Sequence, residues 1–398
     1  MNFKAFKRIL RGICALLVLA IALTFSVSAE PTTQSQRGEH PEDALDVLDL
    51  PCKSAILIEA NTGTVLYEKN ADEPLPPASV TKIMTLLLVM KAIDSGKIGY
   101  NDIVRASAYA CSMGGSQIYL KENEEMTVED LLKSVIIASA NDAAVALAEY
   151  ICGSEAAFVE QMNIKAAKLA MENSHFENTN GLDDTTENHV TSARDIGIMS
   201  RELIKHKKVL EYSSIWMDSI RNGSFGLTNT NRLIRFYEGA TGLKTGSTDK
   251  AGFCISATAE RGDMSLIAVI MGAETRDERN TAAVKLLDYG FNNYRIFSDE
   301  GGVIDNILVT KGEKEYFSAE YPRVKIIVPK GTGKISAGIQ VLEHVEAPIK
   351  VGDIVGIVTY TDGKGEVCQI DIIASEAVKR ISFGGGFRLL LQKCAVLI

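Results

Sequence analysis

The sequence is poor in the residues from which metal centres and disulfide frameworks are built. Its five histidines show no H-E-x-x-H or comparable ligand spacing, which counts against a zinc peptidase. Seven cysteines are scattered without a C-x-x-C pair, and a chain of 398 residues has core enough without staples. Cys52, Cys111, Cys152, Cys254, Cys368 and Cys394 are therefore expected as buried or free thiols. The apolar run from Ile13 to Phe25 falls short of the roughly 20 residues that a spanning helix needs. Basic residues are outnumbered 42 to 51, a net charge of −9, so the dense cationic footprint of a nucleic-acid binder is missing. No cofactor-binding signature emerges.

What is present at the N-terminus has the layout of a secretory leader. Lys4, Lys7, Arg8 and Arg11 precede the apolar run, and Val27-Ser28-Ala29 supplies small residues for cleavage. Residues 1–29 are expected to be removed, and no cysteine stands in the cleavage region to carry a lipid. The loss of four cations makes the remainder still more acidic. Residues 30–50, polar and holding Pro31 and Pro41, read as a linker.

Beyond the linker the patterning predicts an α+β domain over 51–295. Ser54–Ala60 and Thr64–Tyr67 flank the turn Asn61-Thr62-Gly63 and read as a hairpin. After Pro74, Pro76 and Pro77, an apolar stretch from Ser79 to about Ile93 reads as a helix buried nearly all round. Thr127 with Asp130 makes a capping-box pattern for a helix to Ala138, and Asn141 is expected to cap the next, ending at Gly153. Further helices are expected near 154–173, 192–206 and 276–290. Phe253–Ala259 and Ser265–Met271 read as antiparallel neighbours around Arg261-Gly262-Asp263, implying an antiparallel sheet flanked by helices.

From about residue 300 short β-rich runs take over, at Val324–Val328, Ile354–Tyr360 and Val367–Ile373, predicting a small all-β domain over 300–374. The tail 375–398 mixes Lys379, Arg380, Arg388 and Lys393 with Phe383, Phe387 and Leu389–Leu391. It suits a segment lying on a membrane surface, although Gly384-Gly385-Gly386 is expected to interrupt any continuous helix.

Three short motifs follow in order: Ser79-Val80-Thr81-Lys82, Ser139-Ala140-Asn141 and Lys244-Thr245-Gly246. S-x-x-K alone is weak, expected about once by chance in a chain this long, and it recurs at Ser247–Lys250. The conjunction is stronger, because each motif sits in a context that acyl-transfer chemistry requires. A serine hydroxyl needs a base within reach, and three positions along a helix place Lys82 one turn from Ser79 on the same face. Burial and a neighbouring cation would leave that amine neutral enough to accept a proton. Ser139 at a helix junction can relay the proton, Asn141 can hold Lys82, and Lys244 can attract a C-terminal carboxylate.

The wider stretches Pro77–Thr85, Gly114-Gly115-Ser116, Thr127–Ala144, His175–Leu182 and Gly242–Gly246 resemble the serine-type D-alanyl-D-alanine carboxypeptidases, low-molecular-mass penicillin-binding proteins. The resemblance implies a β-lactamase/DD-peptidase-like catalytic domain with Ser79 as nucleophile and Lys82 as general base. Ser139, Asn141, Lys244, Thr245 and Gly246 would complete the site, with the N–H groups of Ser79 and Ser247 as oxyanion hole and Arg279 helping to draw the substrate carboxylate. Some members carry histidine where this chain has Ser247. The implied substrate is a peptidoglycan stem peptide ending in D-Ala-D-Ala, the implied inhibitors are β-lactams, and no cofactor or metal is needed. The implied location is the outer face of the bacterial cytoplasmic membrane. A DD-endopeptidase or a serine β-lactamase would share the motifs, but no E-x-x-L-N stretch supplies a class A deacylating base. A non-catalytic peptidoglycan binder is the reading from another class.

Overall fold

A computed structural model describes residues 48–184 and 186–387. The leader, nearly all of the linker, residues 388–398, Cys14 and Cys394 lie outside the described residues.

Strands β1 (Ser54–Glu59) and β2 (Val65–Lys69) form the expected hairpin. Three longer strands, β3 (Ala240–Thr248), β4 (Gly252–Arg261) and β5 (Met264–Ala273), complete an antiparallel sheet in the order β2-β1-β5-β4-β3. Side chains alternate across a strand, so β1 and β5 feed two cores at once. Ile56, Ile58, Ile267, Val269 and Met271 enter one, while Ala55, Leu57, Leu266, Ala268 and Ile270 enter the other. Burial on both faces explains why these strands are continuously apolar. Lys244-Thr245-Gly246 lies inside β3, where the sequence had put it ahead of a strand, and β3 is an edge with one side unpaired.

The first core is roofed by helices α1 (Lys82–Asp94), α2 (Val128–Ile137), α3 (Asn141–Cys152), α4 (Glu155–Lys168) and α5 (Ala193–Leu203). The second is closed by α6 (Arg276–Asn293), which Thr275 and Glu278 open with a reciprocal capping box. As its patterning requires, α1 buries Ile83, Met84, Leu86, Leu87, Val89 and Met90 around its circumference. Ser79 stands just before it, in a 3-10 turn spanning Ala78–Thr81. One capping expectation is met and one is corrected. Thr127 does accept from the Asp130 N–H, but α3 has Ala140 at its N-cap with no side-chain bond, because the Asn141 side chain is used elsewhere. Helices α4 and α5 also end earlier than expected, α6 runs on to Asn293, and a separate helix covers Lys207–Ser213.

The β region is richer than its sequence suggests. Tyr294–Asp299 pairs with Val324–Pro329, and a six-stranded sheet is built from Gly302–Thr310, Tyr316–Tyr321, Ser336–Val341, Val345–Glu346, Ile354–Thr361 and Glu366–Ala374. Residues 336–340 are all exposed, so no alternating pattern betrayed that strand. Residues 383–387 are helical through the glycine triplet, contrary to the interruption expected there. Among the described residues no helix is long and apolar enough to cross a membrane, and no His, Cys, Asp and Glu cluster could hold a metal.

One loop contact sets the position of the Ser79 turn. Gly181 has φ +84°, and a Cβ there would lie 1.8 Å from the carbonyl oxygen of Ala78. Gly181→Ala is therefore expected to cost about 3 kcal/mol or more, combining a left-handed alanine with a backbone clash. Gly331, whose Cβ would meet nothing within 4 Å, serves as the control, and Gly331→Ala should be near neutral. Denaturant unfolding of the two variants checks this, and equal stability would refute it.

Candidate active site

The Ser79 turn is held in a conformation that alanine rarely adopts. Ala78 has φ +49°, and its carbonyl accepts the Thr81 hydroxyl at 2.8 Å. Thr81 Oγ in turn lies 2.8 Å from Nε2 of His189, whose Nδ1 accepts the Glu177 N–H at 3.0 Å. A backbone N–H can only donate, so Nε2 must carry the ring proton and donate to Thr81. Burial keeps this imidazole neutral, pulling its pKa down to about 4. The relay His189 to Thr81 to Ala78 thus buttresses the strained residue next to Ser79.

Lys82 is fully buried, and its Nζ meets three oxygens: Ser79 Oγ at 2.8 Å, Asn141 Oδ1 at 2.5 Å and the Asn180 carbonyl at 2.7 Å. Burial foremost, then the charge of Lys244, holds its pKa well below the ordinary lysine range, with Asp142 opposing. A neutral amine has two N–H donors and one lone pair. Asn141 and Asn180 take both donors, which leaves the lone pair for the Ser79 hydroxyl.

Asn141 is fixed from its other end, since Nδ2 donates to Gly114 O at 2.7 Å and the backbone N–H donates to Ser116 O at 2.7 Å. Asp142 accepts from the N–H groups of Ile118 and Leu120. These bonds hold the 114–120 loop over α3 and bring Ser116 to the cleft. Ser139, at φ +62° between α2 and α3, has its Oγ 2.8 Å from Lys244 Nζ. Lys244 is 1% exposed, and burial followed by the nearby Arg279 lowers its pKa to about 7. Arg279, also buried, is drawn down to about 10 by burial and then by Arg276.

Gly246 brings β3 against the nucleophile. A Cβ there would lie 2.8 Å from Ser79 N and 2.9 Å from Pro77 O, so only glycine permits this approach. The second S-x-x-K is a different object: Ser247 lies in β3 one residue before its end, and Lys250 donates to Asp183 O instead.

All nine residues singled out from sequence come together. Ser79, Ser139, Thr245, Gly246, Ser247 and Arg279 line one cleft of about 600 Å³, and Lys82, Asn141 and Lys244 are bonded directly behind it. Trp216, Thr230, Arg232, Arg235, Phe236 and Arg276 also line the cleft and had not been picked out. Nor had the Asn180 carbonyl, although its stretch carried part of the family likeness.

Comparison with known proteins agrees with this geometry. A family model described as D-alanyl-D-alanine carboxypeptidase matches residues 39–275, and one for the penicillin-binding protein 5 C-terminal domain matches 291–380. The chain is 40% identical over 381 residues to the D-alanyl-D-alanine carboxypeptidase DacF of Bacillus subtilis, covering 94% of this chain and 96% of that one. Penicillin binding protein 5 from Haemophilus influenzae superposes with a TM-score of 0.76 at 29% identity, covering 86% and 100% of the two chains. Penicillin-binding protein D2 from Listeria monocytogenes in its ampicillin-bound form gives 0.57 at 34% identity, covering 61% and 99%.

The depressed Lys244 makes a pH prediction. Its ammonium is present below about pH 7 and lost above it, so attraction for a free carboxylate should weaken as pH rises through that value. The kcat/KM for a peptide ending in a free carboxylate should fall on this alkaline limb, while its C-terminal amide shows no such fall. Identical profiles for the two would refute the carboxylate role.

Proposed function

The chain belongs to the serine-type D-alanyl-D-alanine carboxypeptidase family of penicillin-binding proteins, and we propose that it releases the terminal D-alanine of peptidoglycan stem peptides through an acyl-enzyme on Ser79. The observation that carries this is the Lys82 amine, 2.8 Å from Ser79 Oγ with both other contacts made to carbonyl oxygens.

An extended substrate peptide lies along the free edge of β3, its terminal carboxylate toward Lys244, Thr245 and Arg279. Ser79 attacks the carbonyl carbon of the penultimate D-alanine as its proton passes to Lys82. The N–H groups of Ser79 and Ser247 receive the developing oxyanion, a type of stabilisation worth roughly 3 kcal/mol per donor. Lys82 returns the proton through Ser139 Oγ to the leaving nitrogen, the C–N bond breaks, and D-alanine departs. Water, deprotonated by Lys82, then hydrolyses the ester and regenerates the Ser79 hydroxyl. A β-lactam presents the same carbonyl and carboxylate and acylates Ser79 without a leaving group that diffuses away.

The exported location and a membrane-lying tail form part of the same proposal. Supporting them are the leader-like N-terminus and the amphipathic composition of the last residues. The helical turn at 383–387 also holds out Phe383, 94% exposed, and Phe387, 59% exposed.

Two outcomes are expected. A fluorescent penicillin should label the wild type covalently and leave Ser79→Ala unlabelled, and a label that persists in the variant would exclude Ser79 as nucleophile. Mass spectrometry of pentapeptide products should show loss of one D-alanine; release of peptide strands from cross-linked muropeptide alone would favour an endopeptidase. Separately, deletion of residues 376–398 should move the mature protein from the membrane to the soluble fraction, and unchanged fractionation would refute the tail's role.

A further inference from the structure

The cleft carries more positive charge than one carboxylate can use. Besides Lys244 and Arg279, it is lined by Arg232, Arg235 and Arg276, in a protein of net charge −9. Among the described residues none of the four arginines forms an ion pair, and the one side-chain acceptor bonded to any of them is Asn280 Oδ1, on Arg279.

Their placement runs against local electrostatics. Arg276 and Arg279 stand three residues apart in the first turn of the 18-residue α6, at the helix end where anions are favoured and cations are not. Arg232 and Arg235 belong to the segment around the short helix Leu233–Phe236. That segment is clamped beside β3, because buried Asn231 donates to Gly242 O at 2.7 Å and Thr245 Oγ meets Thr230 Oγ at 2.7 Å. The Arg235 guanidinium lies 5.7 Å from the Trp216 ring centroid and 5.5 Å from that of Phe236, itself 73% exposed. A planar cation shelved on aromatic rings at a cleft wall is a pre-formed anion acceptor.

The arginines lie on the leaving-group side. Arg276 stands one turn from Arg279 at the start of α6, and Arg232 and Arg235 line the same cleft on the segment tied to Thr245, whereas the acyl chain is tethered at Ser79. Resting on the Ser79 acyl-enzyme reading, we propose that Arg232, Arg235 and Arg276 form a second anion subsite, selecting substrates whose departing residue carries a carboxylate beyond its terminal one.

The test uses substrates that share one acyl-D-alanyl group and differ in the departing residue: D-Glu, its neutral isostere D-Gln, and D-Ala. The wild type should prefer D-Glu to D-Gln by roughly tenfold in kcat/KM, the size of one charge-assisted contact, with the difference mainly in KM. The preference should shrink with added salt. In Arg235→Gln and Arg232→Gln the D-Glu to D-Gln ratio should fall toward one, while Arg235→Lys retains part of it and melting temperatures stay close to wild type. A wild-type ratio of one or below, or a ratio unchanged in both glutamine variants, would overturn the subsite. Failure of the wild type to be acylated by penicillin would instead overturn the acyl-enzyme reading, and the subsite with it.

Discussion

The chemistry of this fold depends on one buried amine being left with a single unsatisfied direction. Lys82 sits among three oxygens, two of which can only accept. A charged ammonium would satisfy all three, yet burial and Lys244 disfavour that form. The neutral form fits only if the third partner donates, and the third partner is the Ser79 hydroxyl. The geometry therefore couples two facts that are usually separate: the protonation state of the base and the orientation of the nucleophile's proton. Replacing either carbonyl partner would release the lone pair from this assignment even if Lys82 stayed in place.

Holding that arrangement occupies a large part of the architecture. The carbonyl acceptors come from α3 and from the 178–182 loop, and Ser79 comes from the turn before α1, so no single element owns the site. Gly181 and Gly246 let two backbones close on the Ser79 turn from different sides. Behind the turn, His189 supports Thr81 through a ring kept neutral by burial. Proline before the turn and a largely buried helix after it leave the segment little freedom to relax the strain at Ala78.

What could be read from the sequence divides along a physical line. The α1 helix, the hairpin and the paired strands β4 and β5 announce themselves because their burial is encoded in their own residues. The three motifs were legible because each carries reactive side chains at fixed spacing. Asn141 shows the limit: the sequence allows it both to cap a helix and to hold Lys82, and only the tertiary fold shows that the Lys82 contact takes the side chain and leaves the cap unmade. The Asn180 contact is made by a backbone atom, to which residue identity is silent. The arginine wall was invisible for another reason, since Arg232 and Arg235 are separated from Arg276 and Arg279 by the three strands β3, β4 and β5. In the β region, the strand at Ser336–Val341 is exposed over nearly all its length and so leaves no periodic trace.

The cations of the cleft form a graded series. Lys82 is pushed well toward its neutral form, Lys244 is balanced near pH 7, and Arg279 remains charged even though burial draws it to about 10. Each charge helps set the one deeper in, because Arg279 disfavours charge on Lys244 and Lys244 disfavours it on Lys82. A carboxylate arriving at Lys244 would favour that lysine's ammonium, and the ammonium would in turn press Lys82 further toward its neutral form. Substrate recognition and base activation are then one electrostatic event transmitted over two lysines. A ligand lacking the carboxylate would lose the second effect together with the first.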